Sequence, residues 1–348
     1  MNETLLIRAD ASPQIGIGHV MRCVALAEAW QAQGGDVVFA LASAPEELER
    51  RLDAEGFARR RILGRPGQPE EATETAALAR SCSAGCVVLD GYHFGPGYRR
   101  AMRPTEARLL LVVDGATPEA DGADFVLDQN LGAKLPEGSR GDSRTRFLLG
   151  PGYALLRREF WGWRGREHPI APSARRLLVT LGGSDPENMT LRILRALRQL
   201  PESGELEATI VVGPANRHRV SLENELADAP ASWRLLAAPE DMPGLIAWAD
   251  LGVSAAGSTC WELAFMGLPF VTVVLAENQR SIAANLARAG ISRDLGWHEH
   301  VSAERLTSTF HELFEDAALR MDMGRRGQET VDGFGAERVA RLLSTVAA

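Results

Sequence analysis

The sequence predicts an α/β protein built of two doubly wound parallel-sheet domains with a cleft between them. Three observations carry that prediction. Short β-rich runs alternate with amphipathic helical stretches along the chain, the pattern of an open parallel sheet covered by helices. The length, 348 residues, is more than one domain usually takes. The alternation stops once, over the polar, irregular residues 163–173 with their two prolines, and then restarts. The expected domains are therefore 1–162 and 174–330, joined by a linker at 163–173, with residues 334–348 as a terminal helical segment.

In the first half the expected strands are Leu5–Arg8, Val37–Ala40, Arg61–Leu63, Val87–Leu89, Leu109–Val113 and Phe125–Leu127. Between them, His19–Gln33 places Val20, Val24, Ala27 and Trp30 at helical spacing, and Glu70–Arg80 is an alanine-rich helix. The second half repeats the grammar with Leu177–Thr180, Ala208–Val212, Trp233–Leu236, Leu251–Ser254 and Phe270–Val274. After Gly333-Phe334-Gly335, a last helix over Ala336–Val346 carries Val339, Leu342 and Leu343 on one face. Ligands of such sheets bind at the carboxyl ends of the strands, so functional residues should lie just after them.

Composition narrows the chemistry. The chain holds 37 arginines and one lysine, Lys134, in a turn-like Gly-Ala-Lys-Leu-Pro context. A phosphate loop of the GxxxxGK[ST] kind and a Schiff-base amine are both excluded. Any phosphate must be held by arginine, backbone N–H groups or helix N-termini. A net charge of −8 opposes a general nucleic-acid surface. Four cysteines in so long a chain make no disulfide framework, and Cys82-x-x-x-Cys86 lacks a second pair at metal-ligand spacing. No metal and no cofactor are expected. No apolar stretch approaches the ~20 residues of a bilayer span, and no signal peptide is visible, so a cytoplasmic protein without stable membrane insertion is expected, a monomer being favoured.

Five segments carry candidate chemistry. After the first strand, Gln14-Ile15-Gly16-Ile17-Gly18-His19-Val20-Met21-Arg22 opens a helix. Its glycines allow a tight turn, and the positive end of the helix should keep His19 neutral, as a general base requires. A capping or packing histidine is the alternative. After the fourth strand, Asp90 can orient a histidine, while Tyr92 and His93 can bond a sugar or phosphate; Asp114-Gly115 after the fifth is read as a plain turn. In the second half, Gly182-Gly183-Ser184 permits close approach to a ligand, with Asp185 as an N-cap and Pro186 at the first helical position. In Gly257-Ser258-Thr259-Cys260-Trp261-Glu262, two hydroxyls meet a helix start; Thr259 and Glu262 also spell a capping box. Asn278 and Gln279, opening the next helix, offer amides to sugar hydroxyls.

Taken together, Gly16-x-Gly18-His19-x-x-Arg22, Leu181–Asn188, Gly257–Leu263 and Glu277-Asn278-Gln279 resemble the nucleotide-sugar hydrolase family of pseudaminic acid biosynthesis. That family is similar in turn to the glycosyltransferase that adds N-acetylglucosamine to the lipid-linked murein precursor. The resemblance covers roughly residues 4 to 290 and implies a GT-B-like pair of Rossmann-like domains, with the last helix, in 334–348, crossing back to the first domain. It further implies a UDP-sugar as the partner molecule, UDP-2,4-diacetamido-2,4,6-trideoxy-β-L-altropyranose, hydrolysed without metal and with inversion. The implied UDP site comprises Gly182, Gly183, Ser184, Gly213, Gly257, Ser258, Thr259 and Glu262, the last on the ribose. The implied catalytic groups are His19, Asp90 and Tyr92, with Gly16, Gly18, Arg22, His93, Asn278 and Gln279 binding substrate. The family's Asp-x-Tyr-Gly is replaced here by Asp90-Gly91-Tyr92-His93, which makes His93 a second acid/base candidate. A glycosyltransferase using a saccharide acceptor, or a non-catalytic nucleotide-sugar-binding protein, are the alternatives.

Overall fold

In a computed structural model, described for residues 3–12, 15–115, 122–135, 145–213 and 216–345, the chain forms two compact units. Unit 1 is Met1–Arg158 with Gly333–Ala348, and unit 2 is Glu159–Asp332. The chain thus leaves unit 1 a few residues ahead of the irregular 163–173 stretch and returns to it at Gly333.

Unit 1 carries strands β1 (Thr4–Ala9), β2 (Asp36–Leu41), β3 (Ala58–Arg61), β4 (Ala84–Asp90), β5 (Arg108–Val112), β6 (Phe125–Asp128) and β7 (Arg146–Leu149). They form one parallel sheet in the order β3-β2-β1-β4-β5-β6-β7. Helices α1 (Gly18–Ala32), α2 (Glu46–Ala54), α3 (Pro69–Ser81) and α4 (Pro96–Met102) make the crossovers. Central strands of a parallel sheet are covered on both faces, which is why β1 and β4 are nearly continuous apolar runs, buried at almost every residue.

Unit 2 repeats the plan with β8 (Arg176–Thr180), β9 (Glu207–Val212), β10 (Trp233–Ala237), β11 (Leu251–Ala255), β12 (Phe270–Val274) and β13 (Ser292–Trp297). Their order is β10-β9-β8-β11-β12-β13, again all parallel. Its helices are α5 (Met189–Arg198), α6 (Arg219–Ala227), α7 (Met242–Trp248), α8 (Thr259–Met266), α9 (Arg280–Arg288), α10 (Ala303–Glu315) and α11 (Ala317–Thr330). The fully buried Arg320 of α11 donates to the carbonyls of Leu313, Phe314, Ala171 and Pro172, pinning the irregular segment before β8 to the end of α10. A last helix, α12 (Gly335–Ser344), packs on α1 with Ala336, Val339, Ala340 and Leu343 buried. Gly335 must be glycine: a Cβ there would lie 2.2 Å from the Ala154 carbonyl oxygen.

Several expectations are corrected. The strand expected at Arg61–Leu63 is Ala58–Arg61, an edge strand with three arginines; Ile62 is core but lies beyond the ladder, and Leu63 is 82% exposed. β7, β13 and α2 were not expected, because Ser292-Arg293-Asp294 and the charged α2 lack an apolar period. Gln14 and Val346, each placed in an expected element or motif, lie outside the described residues.

One buried acid makes stability depend on pH. Glu28 of α1 is 7% exposed, and its Oε2 accepts the Arg158 N–H at 2.5 Å. Burial, with the charge of Glu55 adding to it, pushes its carboxyl from 4.5 up to about 7. A raised acid favours the protonated form in the folded state, so its contribution is fully present below the unfolded value and is lost as pH rises through about 7. Glu28→Gln, which keeps the acceptor and cannot ionise, is expected to gain on the wild type by on the order of 2 kcal/mol between pH 5 and pH 8. Thermal melts of both proteins at the two pH values measure it; an equal difference at both would contradict it.

Candidate active site

In each unit the candidate residues collect where the strand order reverses. In unit 1 that point lies between β1 and β4, and in unit 2 between β8 and β11. Loops leaving two neighbouring strands in opposite directions open a crevice there, which is where doubly wound sheets bind ligands.

Gly16, in the turn after β1, has φ of 72°, a left-handed conformation that suits glycine, and Gly18 opens α1 with His19 as its second residue. Asp90 ends β4 and is fully buried. His19 Nδ1 lies 2.6 Å from Asp90 Oδ1. Arg22, one turn further along α1, grips the same carboxylate with both forks, Nε to Oδ2 at 2.6 Å and Nη2 to Oδ1 at 2.7 Å. Its Nη1 donates to Asp114 Oδ1 at 2.6 Å, and Asn130 Nδ2 and the Tyr92 hydroxyl donate to Asp114 at 3.2 Å each. Tyr92 stands edge-on to the His19 ring, centroids 5.1 Å apart.

The electrostatics follow from that geometry. Burial alone would raise the Asp90 carboxyl, but the charges of Arg22 and His19 outweigh it and hold it well below the usual carboxylate range. Asp114 is lowered in the same way, against burial, chiefly by Arg22. Arg22 is pushed up by its two carboxylates despite burial. With its Nδ1 hydrogen donated to Asp90, His19 keeps the Nε2 lone pair free, which is the orientation a general base needs.

Asp10, Ile15, His19, Asp90, Gly91, Tyr92 and His93 line a pocket of about 250 Å³. His93 is held below its ordinary pKa by burial and by the nearby Arg8 charge; its Nε2 is 3.8 Å from Asp10 Oδ2 and has no hydrogen-bond partner among the described residues. Two readings change. Arg22, expected to bind substrate, is 6% exposed and spends its guanidinium on Asp90 and Asp114, so it positions the dyad from behind the pocket. Asp114-Gly115, expected to be a plain turn, supplies the second anchor of Arg22. The only sequence signal for Asp114 and Asn130 was their place just after β5 and β6, the next strands along the sheet.

In unit 2, Gly182 (φ 83°), Gly183 and Ser184 follow β8, and Gly257, Ser258 and Thr259 lead from β11 into α8. Asp185 is not the N-cap and Pro186 is not helical: α5 starts at Met189, and Asp185 reaches over the turn to accept the Met189 and Thr190 N–H groups at 2.9 Å each. Asp185 nevertheless serves the helix start and not the pocket. Ser258, not Thr259, takes the N-cap position of α8, which places Thr259 and Glu262 inside the first turns and rules out the capping box. Asn278 and Gln279 sit in the 3₁₀ turn Glu277–Gln279 ahead of α9, and Gln279 Oε1 is already used by the Leu275 N–H at 2.8 Å. Gly213, after β9, packs against the β8 loop so closely that a Cβ would lie 2.4 Å from Gly183 Cα. Gly213→Ala is expected to displace that loop and cost roughly 1–3 kcal/mol of stability; a melting temperature equal to wild type would contradict the close approach.

Comparisons with known proteins extend this picture. Residues 177–333 match the glycosyltransferase family 28 C-terminal domain. The spore coat polysaccharide biosynthesis protein SpsG of Bacillus subtilis is 30% identical over 57% of this chain, and the match spans 58% of that relative's length. A UDP-N-acetylglucosamine–N-acetylmuramyl-(pentapeptide) pyrophosphoryl-undecaprenol N-acetylglucosamine transferase of Acidithiobacillus ferrooxidans is 26% identical over 98% of this chain and 97% of its own. The crystal structure of Acinetobacter baumannii MurG superposes with a TM-score of 0.68 at 21% identity, covering 99% of this chain and 100% of that one. The fold is GT-B. The family match falls within unit 2 but for its last residue, so the His19–Asp90 pocket of this GT-B chain lies outside it. Among the described residues, no group of His, Cys, Asp and Glu could hold a metal ion, and no helix is long and apolar enough to cross a membrane.

Proposed function

We propose that the protein transfers the sugar of a UDP-sugar to an oxygen acceptor in the biosynthesis of a surface polysaccharide, with a saccharide hydroxyl as the acceptor. The observation that carries the reading is the His19–Asp90 pair, 2.6 Å apart on a pocket wall and locked by Arg22. In the reaction, the acceptor oxygen bonds the anomeric carbon as the C–O bond to the diphosphate breaks. The electron pair leaves with UDP, the acceptor's proton passes to His19 Nε2, and the anomeric configuration inverts. Unit 2 holds the nucleotide: Gly183, Ser258 and Thr259 take the diphosphate on backbone N–H groups and hydroxyls, which suits a chain with a single lysine, and Glu262 takes the ribose. Asn278, exposed after β12, contributes an amide that bonds a sugar hydroxyl.

Support for transfer comes from the glycosyltransferase family 28 match and from the transferase relative aligned over 98% of the chain. A second reading, hydrolysis with water in place of the acceptor, is favoured by the four-motif resemblance to the pseudaminic acid hydrolases and by the modest 250 Å³ of the pocket beside His19. Incubating the pure protein with UDP-sugars, UDP-2,4-diacetamido-2,4,6-trideoxy-β-L-altropyranose among them, separates the readings. UDP release only with added saccharide supports transfer, and release in buffer alone supports hydrolysis. UDP binding without release under either condition leaves a binding protein and overturns both.

A further inference from the structure

The His19 pocket has a second carboxylate and a second imidazole in its wall, and they repeat the first pair crosswise. Asp90 ends β4 and meets His19, which follows β1; Asp10 follows β1 and faces His93, which follows β4. Each carboxylate is gripped by a buried arginine, Asp90 by Arg22 and Asp10 by Arg8. Arg8 donates Nη2 to Asp10 Oδ2 at 2.7 Å and Nε to Glu71 Oε1 at 2.6 Å. Asp10 Oδ1 accepts the Ala42 and Ser43 N–H groups at 2.7 and 3.1 Å. Against burial, the bond to Arg8 and its charge hold the Asp10 carboxyl below its usual value, so it is ionised.

His93 is held in the same frame. Its ring lies against Phe94, centroids 4.1 Å apart, and its backbone against Gly67, where a Cβ would be 2.7 Å from the His93 carbonyl oxygen. Gly67 in turn donates its N–H to Glu71 Oε2 at 2.6 Å. The two ring nitrogens differ. Nε2 is buried and turned to Asp10 Oδ2 at 3.8 Å, about 1 Å beyond a hydrogen bond. Nδ1 is on the side of Gly91, a lining residue of the pocket, where a Cβ would lie 3.3 Å from it. A lone pair on Nε2 would face a buried anion, whereas an N–H there points its positive end at one. The carboxylate thus favours hydrogen on Nε2 and leaves Nδ1 as an acceptor.

Resting on the transfer reading, we propose that Asp10 is a positioning residue that keeps the His93 hydrogen on Nε2, so that His93 Nδ1 accepts a hydrogen bond from a hydroxyl or amide N–H of the saccharide bound beside His19. His19 takes the reacting proton, and His93 orients a group that does not react. Long-range proton–nitrogen NMR spectra of the full-length protein, isotope-labelled at histidine nitrogen, read the tautomer at about pH 8, where an ordinary imidazole is neutral. The His93 signals are identified by their loss in His93→Asn. The expected result is hydrogen on Nε2 in the wild type and a shift toward Nδ1 in Asp10→Asn, whose melting curve checks that it folds. Hydrogen on Nδ1 in the wild type, or an unchanged tautomer in folded Asp10→Asn, overturns the pairing; if Asp10→Asn does not fold, the wild type decides. In turnover, His93→Phe keeps a ring without nitrogen and is expected to raise a saccharide KM by about tenfold or more while kcat changes by less than about threefold. His93→Asn, which returns an oxygen acceptor near the Nδ1 position, should recover most of that loss. Whether the KM of donor or acceptor rises tells which saccharide makes the contact, and a rise in neither overturns it. Turnover of no UDP-sugar at all is a separate outcome, which overturns the transfer reading and the saccharide contact with it; the tautomer then still decides the Asp10–His93 pairing.

Discussion

His19→Ala is expected to lower turnover by a factor of about 10²–10⁴ while leaving UDP affinity within about twofold. The reason lies in which groups touch what. His19 is the only pocket residue whose Nδ1 is fixed by a buried, ionised carboxylate, so it is the one imidazole with a defined free Nε2. The nucleotide contacts proposed here all lie in unit 2, whereas His19 belongs to unit 1, and a loss confined to kcat separates the roles. The competing base is His93, whose Nε2 faces Asp10 at 3.8 Å without a hydrogen bond. Single-turnover UDP release from His19→Ala and His93→Ala, measured with donor and acceptor saturating, distinguishes them. Near-wild-type turnover in His19→Ala would transfer the role to His93 or remove the base mechanism altogether.

Arg22→Ala is expected to destabilise unit 1 by about 3–5 kcal/mol at neutral pH, because it leaves two buried carboxylates without their shared cation. Asp90 is fully buried, the Asp114 side chain is 10% exposed, and both pair with this one guanidinium. The pH dependence has a definite sign. In the wild type both carboxyls are depressed, so their contribution is present above the unfolded value near 3.8 and is lost as pH falls toward their folded values. Without Arg22, burial and mutual repulsion raise both, and protonation relieves the variant as pH falls. The stability gap between variant and wild type should therefore narrow between pH 7 and pH 4. Urea unfolding across that range tests it, and a constant gap would mean that the ion pairs contribute no more than packing. Arg22→Lys should not rescue, since one ammonium cannot make the two-pronged contact with Asp90 and reach Asp114 as well.

The alternating apolar runs made the fold class and most buried strands legible, because a strand covered on both faces has to be apolar throughout. What stayed hidden sat where that rule lapses. β3 is an edge strand of arginines, β13 begins Ser-Arg-Asp, and α2 is mostly charged, so none carries an apolar signature. The site divided in the same way. His19 and Asp90 could be found from their places after strands β1 and β4. The demotion of Arg22 to a brace and the promotion of Asp114 could not, since both depend on which strand lies next to which. Asp114 becomes a partner only because β5 adjoins β4 in the sheet. The start of α5 was misplaced for a local reason: Asp185 (φ 41°) and Asn188 (φ 50°) adopt left-handed conformations that delay the helix by three residues.

The return of the chain at Gly333 sets an order on biosynthesis. Every residue of unit 2 is contiguous, so it can condense as soon as it leaves the ribosome, whereas unit 1 waits for α12, which is translated after all of unit 2 and must slide its glycine beneath the Ala154 carbonyl. For the whole of that interval the face of α1 that α12 will cover is open to water, a few turns from the histidine at the start of the same helix. Unit 1, though it begins first, is thus the last part of the nascent protein to become whole.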